Sequence, residues 1–143
     1  MLKILIAEDE EPIANLIRMN LTKAGYACTC AFDGEEAADL MERGRYDLLL
    51  LDIMLPKIGG YELMEYARTL ELPVIFITAM GSTDHKVAGL RMGAEDYITK
   101  PFEIVELLAG VLILFSLCMI FLGRKKNMSE EDYGRTNEYQ DSD

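Results

Sequence analysis

The chain has 143 residues, half of them hydrophobic and only four of them proline, which fits one folded domain and excludes a multidomain enzyme or a disordered linker. Its formal net charge of -11 excludes a nucleic-acid-binding surface, because phosphate binding requires a basic footprint. Met1 leads directly into an apolar run without a basic segment or a cleavage site. We therefore expect no secretory signal and a cytoplasmic protein with reduced cysteines.

Short apolar runs alternate with amphipathic segments from the start of the chain to about residue 106. The apolar runs predict five strands, over residues 2–7, 26–31, 47–52, 73–78 and 96–98. A first helix is predicted between Pro12 and Gly25, with its apolar residues at helical spacing. These residues are Ile13, Leu16, Ile17 and Leu21. Further helices are predicted over residues 35–43, 61–69 and 83–92, and from about residue 103.

The four consecutive leucines at 48–51 have no polar face, which indicates a strand covered on both sides, as in a parallel sheet. Five strands that alternate with helices predict a three-layer α/β domain with a parallel sheet and right-handed crossovers. Ligands of such sheets bind beyond the carboxyl ends of the strands. The chemistry of this chain is therefore expected at the residues where the strands end.

Three carboxylates, one hydroxyl and one ammonium are predicted at these strand ends: Glu8, Asp9, Asp52, Thr78 and Lys100. Like charges this close would repel one another unless a cation lay among them, and hard oxygen ligands with room for water suit Mg²⁺. Asp52, held at a rigid strand end, can act as a carboxylate nucleophile and form an acyl phosphate. Lys100 and Thr78 can then pair with the phosphoryl oxygens.

The motifs at these strand ends occur in the order and spacing of a known family. They are Glu8-Asp9-Glu10, Asp52-Ile53-Met54-Leu55-Pro56 with Gly59-Gly60, Ile77-Thr78-Ala79, and Asp96-Tyr97-Ile98-Thr99-Lys100-Pro101-Phe102. Over residues 2 to about 109 the chain resembles the CheY-like receiver domain of bacterial two-component response regulators. The resemblance implies a flavodoxin-like (βα)5 fold with the strand order 2-1-3-4-5.

The resemblance also implies a role for each matching residue. Asp52 would accept a phosphoryl group from a phosphohistidine of a sensor histidine kinase. Mg²⁺ would be held by Glu8, Asp9, Asp52 and the backbone carbonyl of Met54. Lys100 and Thr78 would contact the phosphoryl group, and Thr78 and Tyr97 would form the switch that responds to it. Such a domain catalyses its own phosphorylation and hydrolysis and is a switch rather than a turnover enzyme.

The switched surface in this family is the face made by the fourth helix, the fifth strand and the fifth helix, which can form a homodimer. The residues that resemble it here are Lys86, Val87, Leu90, Asp96, Glu106 and Ala109. They resemble most the OmpR/PhoB subgroup, whose receivers carry a C-terminal winged-helix DNA-binding domain; we expect no such domain within these 143 residues. The subgroup usually has Arg where this chain has Gly110, so the partner of Asp96 across that dimer is missing.

Each of these residues also has a structural alternative. Glu8 and Asp9 could cap the following helix or interact with its dipole. Thr78 could be an ordinary strand residue, and Tyr97 an ordinary core residue. The apolar set Val87, Leu90 and Ala109 could be buried within one subunit, since helical spacing does not distinguish the two cases.

Two other functions are compatible with a carboxylate at a strand end. A phosphatase of the haloacid dehalogenase type also uses a carboxylate nucleophile and Mg²⁺, but it needs a second Asp two residues later, where this chain has Met54. A purely structural partner-binding module would leave Asp52 and Lys100 without a role. The receiver could also be a stand-alone or a membrane-tethered one.

The last 37 residues differ from the family pattern: residues 107–123 carry no charge, and residues 124–143 form a polar segment that we expect to be a disordered tail. We predict a receiver over 1–109 and an atypical apolar extension of the last helix over 110–123. One interpretation of 107–123 is a membrane anchor, although Arg124-Lys125-Lys126 would then leave the receiver on the side away from its kinase. The other is a shift in reading frame near Gly110, which sequencing of the coding DNA tests.

Overall fold

The computed structural model describes residues 1–79, 96–100 and 103–117. It divides the chain into two compact units, Met1–Leu108 and Ala109–Asp143. The predicted helix over 83–92 lies outside the described residues, and with it lie Lys86, Val87 and Leu90 of the predicted dimer face.

Five parallel strands form one sheet. They are β1 (Lys3–Ala7), β2 (Ala27–Ala31), β3 (Leu48–Asp52), β4 (Val74–Ala79) and β5 (Asp96–Lys100). Their order in the sheet is β2-β1-β3-β4-β5, and each neighbouring pair is parallel. This order confirms the predicted flavodoxin-like fold. The fifth strand is longer than the predicted segment 96–98 and ends on Lys100 itself.

Four helices are described. They are α1 (Glu11–Lys23), α2 (Gly34–Arg43), α3 (Gly60–Thr69) and a C-terminal helix over 104–117. Helix α2 begins with a side-chain cap, because Asp33 Oδ1 accepts a hydrogen bond of 2.8 Å from the backbone N–H of Glu36. Helix α1 begins at Glu11, after the N-cap residue Glu10, which makes no side-chain cap hydrogen bond, and it has Pro12 in its first turn.

The strand β3 forms the centre of the core. Its four leucines and Asp52 are all buried, as the absence of a polar face predicted. Leu49 and Leu51 belong to a cluster with buried residues of α2 and α3, including Met41 and Leu63. Because side chains alternate along a strand, Leu48 and Leu50 point to the opposite face of the sheet. The sheet is therefore covered on both faces, and Asp52 is held at the end of a rigid strand.

Helix α1 packs in a different phase from the one that its apolar residues suggest. Ala14, Ile17 and Leu21 are buried, whereas Leu16 is exposed and Ile13 is half-buried. The buried set follows the i, i+3, i+4 spacing of one helix face, and Ala14 occupies that face because a small residue lets the helix approach the sheet closely. Leu16 and Met19 remain exposed on the outer side of α1.

The C-terminal helix begins near residue 103, as predicted, and continues to residue 117. Leu107, Val111 and Phe115 are buried. Among the described residues, no helix has both the length and the apolar character that crossing a membrane requires.

Candidate functional site

Three carboxylates meet at the carboxyl edge of the sheet. Glu8 and Asp9 follow β1, and Asp52 is the last residue of β3, the neighbouring strand. One carboxylate oxygen from each lies within 4.8 Å of the others. Glu8 is 0% exposed and Asp52 is 4% exposed, whereas Asp9 faces solvent. Glu8 is held there by its backbone, since its N–H donates to the carbonyl of Ala31 on β2 at 3.0 Å.

Lys100 compensates part of this negative charge. Its Nζ donates to Glu8 Oε1 at 2.7 Å and to Asp52 Oδ2 at 3.3 Å. The two acceptors come from residues that are 92 and 48 positions away in the sequence. The sheet order brings them together, because β1, β3 and β5 all end at this edge. Sequence analysis predicted the common edge, but it did not predict that Lys100 pairs with Glu8.

Glu8 has the largest electrostatic perturbation at this edge. Burial raises the pKa of Glu8 to about 8; the hydrogen bond from Lys100 opposes the shift, and the neighbouring Asp52 adds to it. Glu8 Oε2 is buried and has no hydrogen-bond partner among the residues that the structure describes. A buried carboxylate oxygen without a partner is costly, because its desolvation is not compensated.

Asp9 and Lys100 respond to the same charges. Burial raises the pKa of Asp9, and the charge of Asp52 raises it further. Burial alone would lower the pKa of Lys100, but the hydrogen bond to Glu8 and the charges of Asp52 and Glu8 outweigh it, so that this pKa is raised. The ammonium therefore stays charged between the two buried carboxylates.

These residues fit a divalent cation. All the donors are oxygens, which suits Mg²⁺, and the exposed Asp9 leaves one side open to the water ligands that Mg²⁺ retains. The unpartnered Glu8 Oε2 supplies a buried acceptor with no other function in the described part of the chain. The alternative role of Glu8 as a helix cap is not observed, since Glu10 occupies the N-cap of α1 and no side chain caps that helix.

The segment after Asp52 turns tightly over the edge of the sheet. Asp52 Oδ1 accepts a hydrogen bond of 3.0 Å from the backbone N–H of Met54, which fixes the carboxylate relative to the segment. The N–H of Gly60 donates to the carbonyl of Ile53 at 3.2 Å. A Cβ on Gly60 would lie 2.6 Å from the Cα of Ile53, so only glycine permits this approach. The Met54 side chain is exposed, and the role of its carbonyl as a ligand stays a prediction.

A second set of contacts joins this segment to the start of α2, and sequence analysis missed it. Lys57 Nζ lies 3.3 Å from Asp33 Oδ2, and Lys57 adopts a positive φ of 71°. The N–H of Gly34 donates to the carbonyl of Pro56 at 3.0 Å, and a Cβ on Gly34 would lie 2.0 Å from the carbonyl oxygen of Ile58. Asp33-Gly34 is a residue pair typical of turns, but this local preference does not reveal a partner that is distant in the sequence.

The backbone register places the other predicted residues. Thr78 is the next residue after Ile77, which pairs with Asp52, so Thr78 lies at the same edge of the sheet. Tyr97 pairs with Phe76, which lies in the middle of β4. Asp96 begins β5, at the edge of the sheet opposite the carboxylates. The roles of Thr78 and Tyr97 as a switch stay predictions.

Comparisons with known proteins agree with this geometry. The family model of the response regulator receiver domain matches residues 4–112. The receiver domain of a Francisella response regulator is 38% identical, with 82% of this chain and 99% of that chain covered and a TM-score of 0.76.

This chain belongs to the response regulator receiver domain family. The receiver domain of a signal transduction histidine kinase from Syntrophus aciditrophicus is also similar, at 32% identity, 81% and 91% coverage and a TM-score of 0.74. So is a chemotaxis response regulator from Vibrio cholerae, at 28% identity, 78% and 97% coverage and a TM-score of 0.73. Because receivers of such different proteins are similar to this one, its assignment to the OmpR/PhoB subgroup stays a prediction.

The predicted dimer face of this receiver is described only in part. Glu106 and Ala109 are exposed on the C-terminal helix. Asp96 is described by its backbone in β5. The remaining members of the face lie outside the described residues, and the dimer stays a prediction.

Proposed function

We propose that this receiver is a phosphorylation-controlled switch of a two-component system, with Asp52 as the acceptor of a phosphoryl group from a phosphohistidine of a sensor histidine kinase. One observation carries the proposal: Asp52 ends the central strand 3.3 Å from the Lys100 ammonium and within 4.8 Å of the Glu8 and Asp9 carboxylates. The arrangement joins a nucleophile, a cation and a divalent-metal site at one point.

The metal that these residues would hold is Mg²⁺, with Glu8, Asp9, Asp52 and the Met54 carbonyl as its protein ligands. When bound, it would neutralise charge on the transferred phosphoryl group. Glu8 and Asp9 would supply oxygen ligands and Lys100 a second positive charge. Burial of Glu8 and Asp52 strengthens each of these interactions, because the local dielectric constant is lower than that of water.

The reaction at Asp52 is a transfer of phosphorus from nitrogen to oxygen. A carboxylate oxygen of Asp52 attacks the phosphorus atom, the P–N bond to the kinase histidine breaks, and the imidazole leaves with the electron pair and takes up a proton. The product is an acyl phosphate. The switch would be reset by hydrolysis: water attacks the phosphorus atom of the acyl phosphate, the P–O bond to Asp52 breaks, and inorganic phosphate and the Asp52 carboxylate are released.

The new phosphoryl charge gives the Thr78 hydroxyl a strong acceptor, and we propose that Thr78 and Tyr97 carry the signal to the face made by the fourth helix, β5 and the C-terminal helix. The output would be a winged-helix transcription regulator, and the location would be the cytoplasm. We propose a switch and not a turnover enzyme, because Met54 stands where a haloacid dehalogenase phosphatase has its second Asp.

The test is incubation with acetyl phosphate and Mg²⁺, followed by intact-mass analysis. The wild type should gain one phosphoryl group, and Asp52→Asn should gain none. Asp47→Asn is the matched control and should gain one phosphoryl group, because Asp47 is an exposed carboxyl that directly precedes the same strand, away from the site. Equal phosphorylation of wild type and Asp52→Asn would reject Asp52 as the acceptor.

A further inference from the structure

Lys57 lies in the connection between β3 and α3, residues 53–59, and has an unusual backbone conformation. Its φ is 71°, in the left-handed region that residues with a Cβ rarely adopt. Such a conformation is strained, persists only where surrounding contacts hold it, and is often found beside a functional site. The contacts of Lys57 should therefore show what its conformation supports.

The start of α2 holds Lys57 by its side chain. The ammonium lies 3.3 Å from Asp33 Oδ2 and 3.7 Å from Glu35 Oε2. The other oxygen of Asp33, Oδ1, caps α2 by accepting a hydrogen bond of 2.8 Å from the N–H of Glu36. This cap lowers the pKa of Asp33, and Lys57 lowers it further, so Asp33 stays charged at neutral pH. One carboxylate therefore binds both the helix and the connection.

The backbone of the connection is held at the same place. The carbonyl of Pro56 accepts a hydrogen bond of 3.0 Å from the N–H of Gly34. A Cβ on Gly34 would clash with the carbonyl oxygen of Ile58, so the two backbones are in direct contact. Residues 56–58 thus all lie against the first turn of α2. That turn is a firm support, because Ala37 on the same helix is buried in the core.

The first residues of the connection touch the candidate site. The N–H of Met54 donates to Asp52 Oδ1 at 3.0 Å, and the carbonyl of Met54 is a predicted ligand of Mg²⁺. Only two residues separate Met54 from Lys57. The contacts at 56–58 therefore limit the positions that the backbone of Met54 can take.

We propose that Lys57 is a positioning residue of the Mg²⁺ site: its ion pairs with Asp33 and Glu35 hold the backbone that carries the Met54 carbonyl. This inference rests on the proposed function, because it requires Mg²⁺ at the carboxylates. It assigns a part in metal binding to a lysine, whose charge alone would repel a metal cation. The two effects have opposite signs, so the direction of a measured change distinguishes them.

The test compares the Mg²⁺ affinities of Lys57→Met and Lys3→Met by isothermal titration calorimetry. Both substitutions remove one positive charge, and Lys3 is exposed at the amino end of β1, away from the site. Lys57→Met should weaken Mg²⁺ binding about three- to fivefold, the range that an exposed ion pair can supply. Lys3→Met should change the affinity by less than about 1.5-fold, since salt screens a distant charge. Lys57→Arg, which keeps the charge, should restore the affinity to within about twofold of the wild type.

A second measurement requires no metal. The N–H of Met54 should exchange with solvent faster in Lys57→Met than in the wild type or in Lys3→Met, because the connection is held less firmly. At saturating Mg²⁺, phosphorylation by acetyl phosphate should stay within about twofold of the wild-type rate, which shows that the variant is folded.

The role of Asp33 is tested by Asp33→Asn, which keeps an oxygen for the cap of α2 and removes the charge. This variant should weaken Mg²⁺ binding about as much as Lys57→Met does. The two effects should not add in the double variant, because both substitutions remove the same ion pair.

Tighter Mg²⁺ binding by Lys57→Met, or an affinity equal to that of Lys3→Met, would overturn the role of Lys57 and leave the metal site intact. Unchanged exchange of the Met54 N–H would overturn it as well. Absence of Mg²⁺ binding by the wild type would instead reject the metal ligands of the proposed function, and the role of Lys57 with them.

Discussion

The carboxyl edge of the sheet and the exposed side of the C-terminal helix both depart from the usual distribution of side chains. The edge buries charged groups, and the exposed side of the helix leaves apolar groups in water. At the edge, the carboxyl groups of Glu8 and Asp52 are buried, with the Lys100 ammonium in contact with both. On the exposed side of the helix, Leu112, Ile113 and Leu117 remain in water. Folded proteins ordinarily bury apolar groups and expose charged ones, so each arrangement costs free energy in the isolated chain.

The two arrangements differ in the kind of ligand that would lower their free-energy cost. The buried edge has a surplus of negative charge and an unpartnered oxygen, which favours a small cation. The exposed side of the C-terminal helix over 109–117 has no charge, so no ion would relieve its exposure to water. A buried surplus of negative charge thus indicates that the ligand is a cation. An exposed apolar face indicates only how large a surface is left uncovered and does not define the chemistry of a ligand.

The largest difference between the regions should appear when leucine is shortened in each. Leu49→Ala should lower the free energy of unfolding by about 3 kcal/mol, because Leu49 is fully buried in the core and leaves a cavity. The same change at Leu112 should alter it by less than about 0.5 kcal/mol, since that side chain is exposed. Urea denaturation measures both. Similar losses for the two variants would mean that Leu112 is covered in solution.

The next effect concerns the ammonium at the buried edge. Lys100→Met should lower the free energy of unfolding by about 2 kcal/mol without Mg²⁺, because Glu8 and Asp52 lose their shared donor. Thermal and urea denaturation without divalent ions measure this loss. The control is Lys57→Met, which removes an exposed lysine of the segment after β3 and should cost less. A larger loss for Lys57→Met would contradict the role of Lys100 as the counterion.

A smaller effect should appear in the pH dependence of stability without Mg²⁺. The pKa of Glu8 is about 8 in the folded protein against an ordinary 4.5, so the folded state holds the proton more tightly. The resulting stabilisation is complete below pH 4.5 and is lost as the pH rises through about 8. Stability should therefore fall across this window, and Glu8→Gln should flatten the profile. A wild-type profile that rises through the window would contradict the assignment.

The affinity for Mg²⁺ should depend on the same protonation of Glu8, but it should rise with pH where the stability of the metal-free protein falls. Since Glu8 must be deprotonated to act as a ligand, the dissociation constant should fall as the pH rises from about 6 to about 8. Isothermal titration calorimetry in buffers of different ionisation enthalpy would measure the protons released. An affinity that is independent of pH would show that Glu8 is not a ligand.

The smallest effect is expected at Met54. Its side chain is exposed, and only its backbone carbonyl is a predicted ligand of Mg²⁺. Met54→Ala should change the Mg²⁺ dissociation constant by less than about threefold, since a carbonyl ligand is independent of the side chain. Asp9→Ala, measured beside it, should weaken binding by at least about tenfold, because it removes a carboxylate ligand. Equal weakening in the two variants would contradict a carbonyl ligand at position 54.

Most of the fold and the position of the site could be predicted from periodicity. The apolar run at 48–51 indicated a strand buried on both faces, and parallel strands bring Glu8, Asp52 and Lys100 to one edge. The buried face of α1 could not be predicted from sequence, since both Leu16 and Ile17 fit helical spacing and only the packed structure shows that Ile17 is covered.

Pairing between distant polar atoms could not be predicted. The hydrogen bond from Lys100 to Glu8, and the contact of Lys57 with Asp33, join residues whose separation in sequence gives no periodic signal. Such contacts depend on side-chain rotamers and on loop backbone angles, such as the positive φ of Lys57, which local sequence does not determine.

The position of Lys100 at the end of β5 makes the charge balance of the site depend on the register of that strand. β5 is at the end of the described sheet order, with β4 as its neighbour, and its register sets Lys100 opposite Ala79. A slip of one residue would turn every side chain of the strand to the other face and carry the ammonium away from Asp52. A molecule with this misregister would therefore lose the counterion of two buried carboxyl groups, so the alignment of a single strand at the end of the described sheet order decides whether the charges of the site are balanced.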